Sequence, residues 1–375
     1  MKKLFFYTNA KLYDESAGIT KKVKSQVKAF ASLGYDVEYT AYGKDGLILL
    51  NNEDKIINSK KYLLKNRRIQ RYSRRYELII FAIESINERD VYDVAYLRYH
   101  TFDRLFCNLL KKCKEKCNKT VLEMHAYPSL EFKFGKMLPI YIIDKMWEKK
   151  AANYIDRFAV MHNCKELFGK PVTIIYNAVD DFNTYLFKNM TYIDKKEISL
   201  IAVGYEAPLH GYDLLIKGLE SYYDNGGDYN ILVNLVGSYQ KKTLDLISNS
   251  NYSDHFILHG KKNGIELTDL YNSSDIAIGT LALHRRGGMK STSSLKLIEY
   301  LAMGLPCVYS GKELMISDDF PYALKKEDNE KELDITKLIY FYNTLSRNNI
   351  SKQDIHNSIA IDENTWKYQM GKVLE

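Results

Sequence analysis

Short apolar runs alternate along the chain with longer stretches in which apolar residues recur at helical spacing. In the first half the runs are "KLFFYT" (3–8), "DVEYTAY" (36–42), "VAYLR" (94–98), "TVLEMH" (120–125), "FAVMH" (158–162) and "VTIIY" (172–176). Each predicts a buried strand. Between the first two, Ile19, Val23, Val27 and Phe30 form a helical stripe that Gly34 ends. The polar, aperiodic segment 177–197 interrupts the pattern. It restarts with "SLIAVG" (199–204), "YNILVNLVG" (229–237), "HFILHG" (255–260), "DIAIGT" (275–280) and "PCVYS" (306–310). Strands alternating with helices predict an α/β protein with parallel sheets. A length of 375 residues exceeds one typical domain. The expected organisation is an N-terminal Rossmann-like domain over 1–185, a second over 186–355, and a terminal helix in 356–375 crossing back to the first. Trp366 would anchor that crossing.

One predicted helix contradicts its local chemistry. In "RRGGMKSTSSLKLIEYLAMGLP" (285–306), Ser293 or Ser294 is a preferred N-cap, Leu295, Ile298, Leu301 and Ala302 share a face, and Gly304 with Pro306 stops the helix. Lys296 nevertheless sits in the first turn, where the helix dipole repels cations, and Arg285, Arg286 and Lys290 precede it. An anion held at the helix start accounts for this placement.

Charge and cysteine usage narrow the setting. The formal net charge is +7, and residues 60–76 carry eight Lys or Arg and no acid. Ile69, Tyr72, Tyr76 and Ile79 recur through that stretch at helical spacing. It reads equally as a basic amphipathic helix for an anionic membrane surface or as a solvated face over a packed stripe. No nucleic-acid module accompanies the charge, so no nucleic acid is expected as a partner. Five cysteines without a repeating framework suit a reducing cytoplasm. Cys113 and Cys117 share a helical face but supply half a zinc site. Asn9 and Lys11 break the first apolar run too early for a secretory signal, and no run approaches the ~20 residues that span a bilayer. A cytoplasmic protein is expected, attached peripherally if at all at the inner face of the plasma membrane. The sequence contains no G-x-S-x-G, P-loop, H-E-x-x-H or early G-x-G-x-x-G pattern.

The order of segments in the second half resembles the C-terminal domain of GT-B fold glycosyltransferases, in particular the retaining family 4. "SLIAVGYEAPLHGYDLLIKGL", "HFILHGKKNG" and "EYLAMGLP" carry this likeness. "SAGITKKVKSQVKAFASLGYDV" and "VLEMHAYPSLEF" extend it to the first half. The resemblance implies two Rossmann-like domains facing across a cleft. It also implies a metal-independent transferase, without a cofactor, that moves a sugar from a nucleotide-sugar, UDP-sugar by preference. The acceptor would be a glycan or lipid-linked chain in capsule, exopolysaccharide or other surface-glycan synthesis.

Residue by residue, the resemblance places Glu299 on the nucleotide ribose and puts Lys296 on the diphosphate with the Ser294 and Leu295 amides. Gly18, Gly204, Gly260 and Lys261 fall on donor-side loops. His125 matches the histidine that faces the donor sugar, while Arg98, His100 and Glu131 are acceptor-side candidates. Two positions depart from the pattern. The first glutamate of the family's E-x7-E falls on Ser291, and the usual arginine and lysine fall on Tyr205 and His210. Lys296 with Arg285 or Lys290 would supply replacement charge, and His210 would add to it if protonated. A degenerate donor site stays open, as do two rival functions: a non-catalytic partner of the same fold, and a UDP-sugar epimerase of the same architecture.

Overall fold

The computed structural model describes residues 2–14, 17–63, 70–88, 91–125, 138–287, 289 and 291–375, with the side chains of 70–72 outside the description. The chain forms two compact units, Met1–Tyr176 with Trp366–Glu375, and Asn177–Thr365.

Unit 1 is built on strands β1 (Lys2–Tyr7), β2 (Tyr35–Tyr42), β3 (Gly46–Asn51), β4 (Ile56–Lys61), β5 (Tyr92–Arg98), β6 (Cys117–Met124), β7 (Arg157–Val160), β8 (Glu166–Leu167) and β9 (Lys170–Ile174). Its first four helices are α1 (Gly18–Ser32), α2 (Gln70–Asn87), α3 (Arg104–Lys116) and α4 (Leu138–Ala152). The sheet order is β4-β3-β2-β1-β5-β6-β7-β9-β8. From β2 to β9 the pairs are parallel. Antiparallel β3–β4 extends one edge and β8 the other. The expected apolar runs all lie in the parallel portion, because strands covered on both faces read as continuous apolar segments.

The basic stretch 60–76 is not one helix. Lys60 and Lys61 lie in β4, where Lys60 pairs with Glu84 at 2.7 Å, and residues 64–69 lie outside the described part. In α2 the inward face is Leu78, Ile79, Ala82 and Ile86, while Tyr76 is exposed. Two arginines there serve the fold. Arg74 stacks on Tyr62 at 4.2 Å, and Arg75 bonds the carboxylate of Asp103 and the carbonyl of Thr101.

Unit 2 contains β10 (Glu197–Val203), α5 (Tyr212–Asp224), β11 (Asn230–Val236), α6 (Lys241–Ser248), β12 (Phe256–Gly260), α7 (Gly264–Asn272) and β13 (Ile276–Ile278). There follow β14 (Ser291–Thr292), α8 (Leu295–Ala302), β15 (Cys307–Ser310), β16 (Lys312–Glu313), β17 (Ala323–Lys326), α9 (Ile335–Arg347) and α10 (Lys352–Ile359). The main sheet runs β12-β11-β10-β13-β15-β17, all parallel. This is the doubly wound 3-2-1-4-5-6 order, whose direction reverses between β10 and β13. β14 and β16 pair separately.

The division falls at 176/177 rather than 185/186, because Val179, Phe182 and Tyr192 are buried in the core of unit 2. Helix α10 stays with unit 2 through Ile355 and Ile359. Only α11 (Trp366–Leu374) joins unit 1, where it packs along α1. Trp366 is buried there beneath the Lys22 ammonium, 5.3 Å away.

Candidate functional site

In doubly wound sheets ligands bind outside the carboxyl ends of the strands at the reversal point. Here that point lies between β10 and β13, and α8 is docked onto it by Tyr300. The buried Tyr300 hydroxyl accepts from the Val203 amide of β10 at 3.0 Å and donates to the Ile278 carbonyl of β13 at 3.4 Å. One turn earlier on the same helix face is Lys296. Its Nζ lies 3.2 Å from His210 Nε2 and 3.4 Å from Nδ1, and 6.0 Å from the Tyr212 ring centre. The lysine stem runs over the backbone of Gly204, where a Cβ would stand 2.7 Å from Lys296 Cε. Gly204 (φ +133°) and Gly237 (φ +148°) end adjacent strands, and a Cβ on Gly237 would fall 1.8 Å from the Gly204 carbonyl oxygen. Only glycine permits that close approach.

Burial pushes the Lys296 amine down to about 7, against an upward pull from Glu299. His210 is buried, and burial followed by the charges of Lys296 and Arg286 pushes it down to about 3. It is therefore neutral at physiological pH, so the protonation on which its added positive charge depended is disfavoured. The positive charge acting on His210 comes from Lys296 and Arg286.

Ser294 is the N-cap of α8, and its side chain accepts from the Leu297 amide. Its own N–H is not free for a diphosphate, because it donates to Glu313 Oε2 at 3.0 Å. That leaves the first-turn amides of Leu295 and Lys296, which have no intrahelical acceptors. Glu313 is buried, with Oε1 unpartnered, and burial raises its pKa to about 8. The folded state thus holds a proton that the unfolded chain has lost above its ordinary 4.5, so stability should decline as pH rises from 4.5 to about 8. Glu313→Gln should flatten that part of a urea-denaturation profile. An unchanged slope would show that the carboxyl is ionised in place.

Arg285 is engaged elsewhere. Its guanidinium bonds both oxygens of Asp213, at 2.7 and 2.9 Å, and also Glu330. It braces the loop over the first turn of α5 rather than standing open beside Lys296. His284 is held in the same cluster by Asp328 at 2.9 Å and Glu330 at 2.6 Å. Glu299 is half-buried three residues after Lys296, and Tyr205 is exposed with its ring 5.9 Å from that of His210. Gly260 and Lys261 lie at the end of outer strand β12, two strands from β10, although the Gly260 carbonyl accepts from Gly237 N–H at 2.8 Å. Ser291 pairs with Lys312 in the β14–β16 ladder. Lys290 lies outside the described residues.

In unit 1, Arg98 is turned into a buried ionic cluster. Glu123, beside it on β6, is fully buried, 2.9 Å from Lys22 Nζ and 3.4 Å from Arg98 Nη1. It also accepts from the Tyr96 hydroxyl at 2.7 Å and Gln26 Nε2 at 2.8 Å. His100 is exposed after β5, His125 is exposed after β6, and Gly18 opens α1. Glu131 lies outside the described residues. The site residues missed by pattern reading are Gly237, Tyr300 and Glu313. Of these, Gly237 alone carried a local signal, as a second strand-ending Val-Gly.

Among the described residues, no group of three or more His, Cys, Asp or Glu is arranged to hold a metal ion, and no helix is long and apolar enough to cross a membrane. No family model and no curated protein matches the chain. Solved structures do. WaaG, a glycosyltransferase involved in lipopolysaccharide biosynthesis, superposes with a TM-score of 0.67 at 11% identity, covering 99% of both chains. The catalytic domain of starch synthase IV from Arabidopsis thaliana, solved with ADP and acarbose, gives 0.64 at 11% identity over 100% of this chain and 98% of that one. HepE of Anabaena, solved with UDP, gives 0.61 at 12% identity over 100% and 99%. The chain has the GT-B fold of these glycosyltransferases.

Proposed function

We propose that the protein is a retaining, metal-independent glycosyltransferase that moves a sugar from a UDP-sugar to a glycan or lipid-linked acceptor in capsule, exopolysaccharide or other surface-glycan synthesis. The observation that carries the reading is Lys296, an amine in the first turn of α8, held over Gly204 at the reversal point of the unit 2 sheet. Charge builds on the leaving diphosphate as the glycosidic bond breaks, and a pre-placed cation with helix-start amides stabilises it most. In this reading Lys296 and the Leu295 and Lys296 amides take the diphosphate, with Gly204 admitting its close approach. Glu299 takes the ribose hydroxyls. On unit 1, the exposed His125 serves the sugar and the exposed His100 the acceptor side, while Arg98, buried against Glu123, is withdrawn from that role. The departing phosphate accepts the acceptor proton, so no separate carboxylate base is required. The likeness to HepE, solved with UDP and with UDP-glucose, supports a nucleotide-sugar donor.

Calorimetry in EDTA with UDP, GDP, CDP and ADP tests the reading, and UDP is expected to bind best. Failure of all four on folded protein would favour a non-catalytic relative, the alternative suggested by Tyr205, His210 and Ser291. An epimerised sugar formed without any acceptor would favour the epimerase. Glu299→Gln should erase the preference for UDP over deoxy-UDP, a loss of about 1–2 kcal/mol for UDP. Retained discrimination would remove Glu299 from the ribose.

A further inference from the structure

Helix α4 is packed with its polarity reversed. Its two carboxylates face inward: Asp144, 5% exposed, accepts from the Tyr99 hydroxyl and the Phe102 amide, both at 2.6 Å. Glu148, 9% exposed, pairs with Lys145 at 2.7 Å. Trp147 packs partly buried against the unit 1 core, but four other large apolar residues face outward, with Leu138 42%, Ile142 49%, Ile143 42% and Met146 71% exposed. At 3.6 residues per turn these four fall with Pro139, Lys149 and Lys150 in one arc of about 140°, opposite Asp144, Glu148 and Ala151. A helix on a water-facing surface shows the reverse arrangement. The outer face therefore presents apolar side chains and the exposed Lys149 and Lys150, and both acids of the helix are spent on internal contacts.

We propose that this face of α4 docks on an anionic membrane surface. Leu138, Ile142, Ile143 and Met146 enter the boundary between headgroups and acyl chains, and Lys149 and Lys150 extend to the lipid phosphates. The charge pattern selects this occupant over a second copy of the chain. A self-complementary contact would bring the same lysines together with no carboxylate on the face to pair them. The docking surface is a helix other than the basic stretch 60–76, and it does not depend on the sugar-transfer reading.

Flotation of the full chain with phosphatidylcholine vesicles, with and without phosphatidylglycerol, tests it. The wild type should float with the anionic vesicles and lose that binding in high salt. Ile142→Ser with Met146→Ser, and separately Lys149→Glu with Lys150→Glu, should each lower vesicle binding about tenfold or more. All four side chains are exposed, so the melting temperature should hold, and circular dichroism checks it. Equal flotation of wild type and both variants overturns the proposal, as does equal binding to neutral vesicles. A wild-type dimer in light scattering that the serine variant dissolves would also overturn it, assigning the face to a second copy.

Discussion

Replacing Lys296 with methionine is expected to weaken UDP binding by about 10–100-fold while leaving the unliganded protein more stable. The loss is that of a charge-assisted contact, about 1.5–3 kcal/mol. The gain arises because the half-buried amine is strained toward its neutral form, its pKa pushed from 10.5 to about 7. A thioether of similar length fills the space over Gly204 without that penalty, for a gain of about 1–3 kcal/mol. Between pH 7 and 10.5 the unfolded chain holds the proton more often than the folded one, so wild-type stability should rise with pH across that window. The variant should lack the rise. A diphosphate beside the amine restores its proton. UDP affinity should therefore fall as pH climbs above about 7, and calorimetry in buffers of different protonation enthalpy should register proton uptake at about pH 8.5 in the wild type alone. A variant that binds UDP as well as the wild type would leave Lys296 as a packing residue.

Glu123→Gln should cost unit 1 about 3–5 kcal/mol in urea denaturation, the range for breaking a buried ion pair from one side. Burial alone would raise the Glu123 carboxyl, but Lys22, Arg98 and the hydrogen bonds from Tyr96 and Gln26 outweigh it and hold the group well below the carboxylate range. Its contribution is present above the ordinary 4.5 and lost as pH falls through the lower native value. Without the carboxylate, Lys22 and Arg98 remain buried as uncompensated cations, and Arg98 Nε and Nη1 already lack hydrogen-bond acceptors. Adding Lys22→Met to Glu123→Gln should recover part of the loss, since it removes one of the two stranded charges. A single variant as stable as the wild type would show that water solvates Lys22 and Arg98 in the cluster.

The parallel strands were legible because burial on both faces writes an unbroken apolar run, as in "NILVNLV" and "LIAV". The hairpin β3–β4 was not, since an edge ribbon alternates buried leucines with Asn, Ser and Lys. For the same reason β17, with Lys325 and Lys326, went unread. Lys296 was visible as a conflict between charge and helix dipole, and Ser294 as its cap. Arg285 looked equally promising. Its commitment to Asp213, 72 residues away in sequence, is a fact of tertiary placement that no local pattern carries. Glu313 taking the Ser294 amide is another, and so is Tyr300 docking α8 to two strands at once.

The chain passes from unit 1 to unit 2 after Tyr176 and back before Trp366, so unit 1 is assembled from two distant pieces of sequence. During synthesis all of unit 2 is made before α11 exists to pack on α1. Until then the nascent first unit lacks the indole that covers Lys22, and with it one wall around the Glu123 cluster. The second unit has every strand of its main sheet in one uninterrupted stretch and can close its core as it emerges. Completion of unit 1 therefore waits for α11, which is made only after the whole of unit 2.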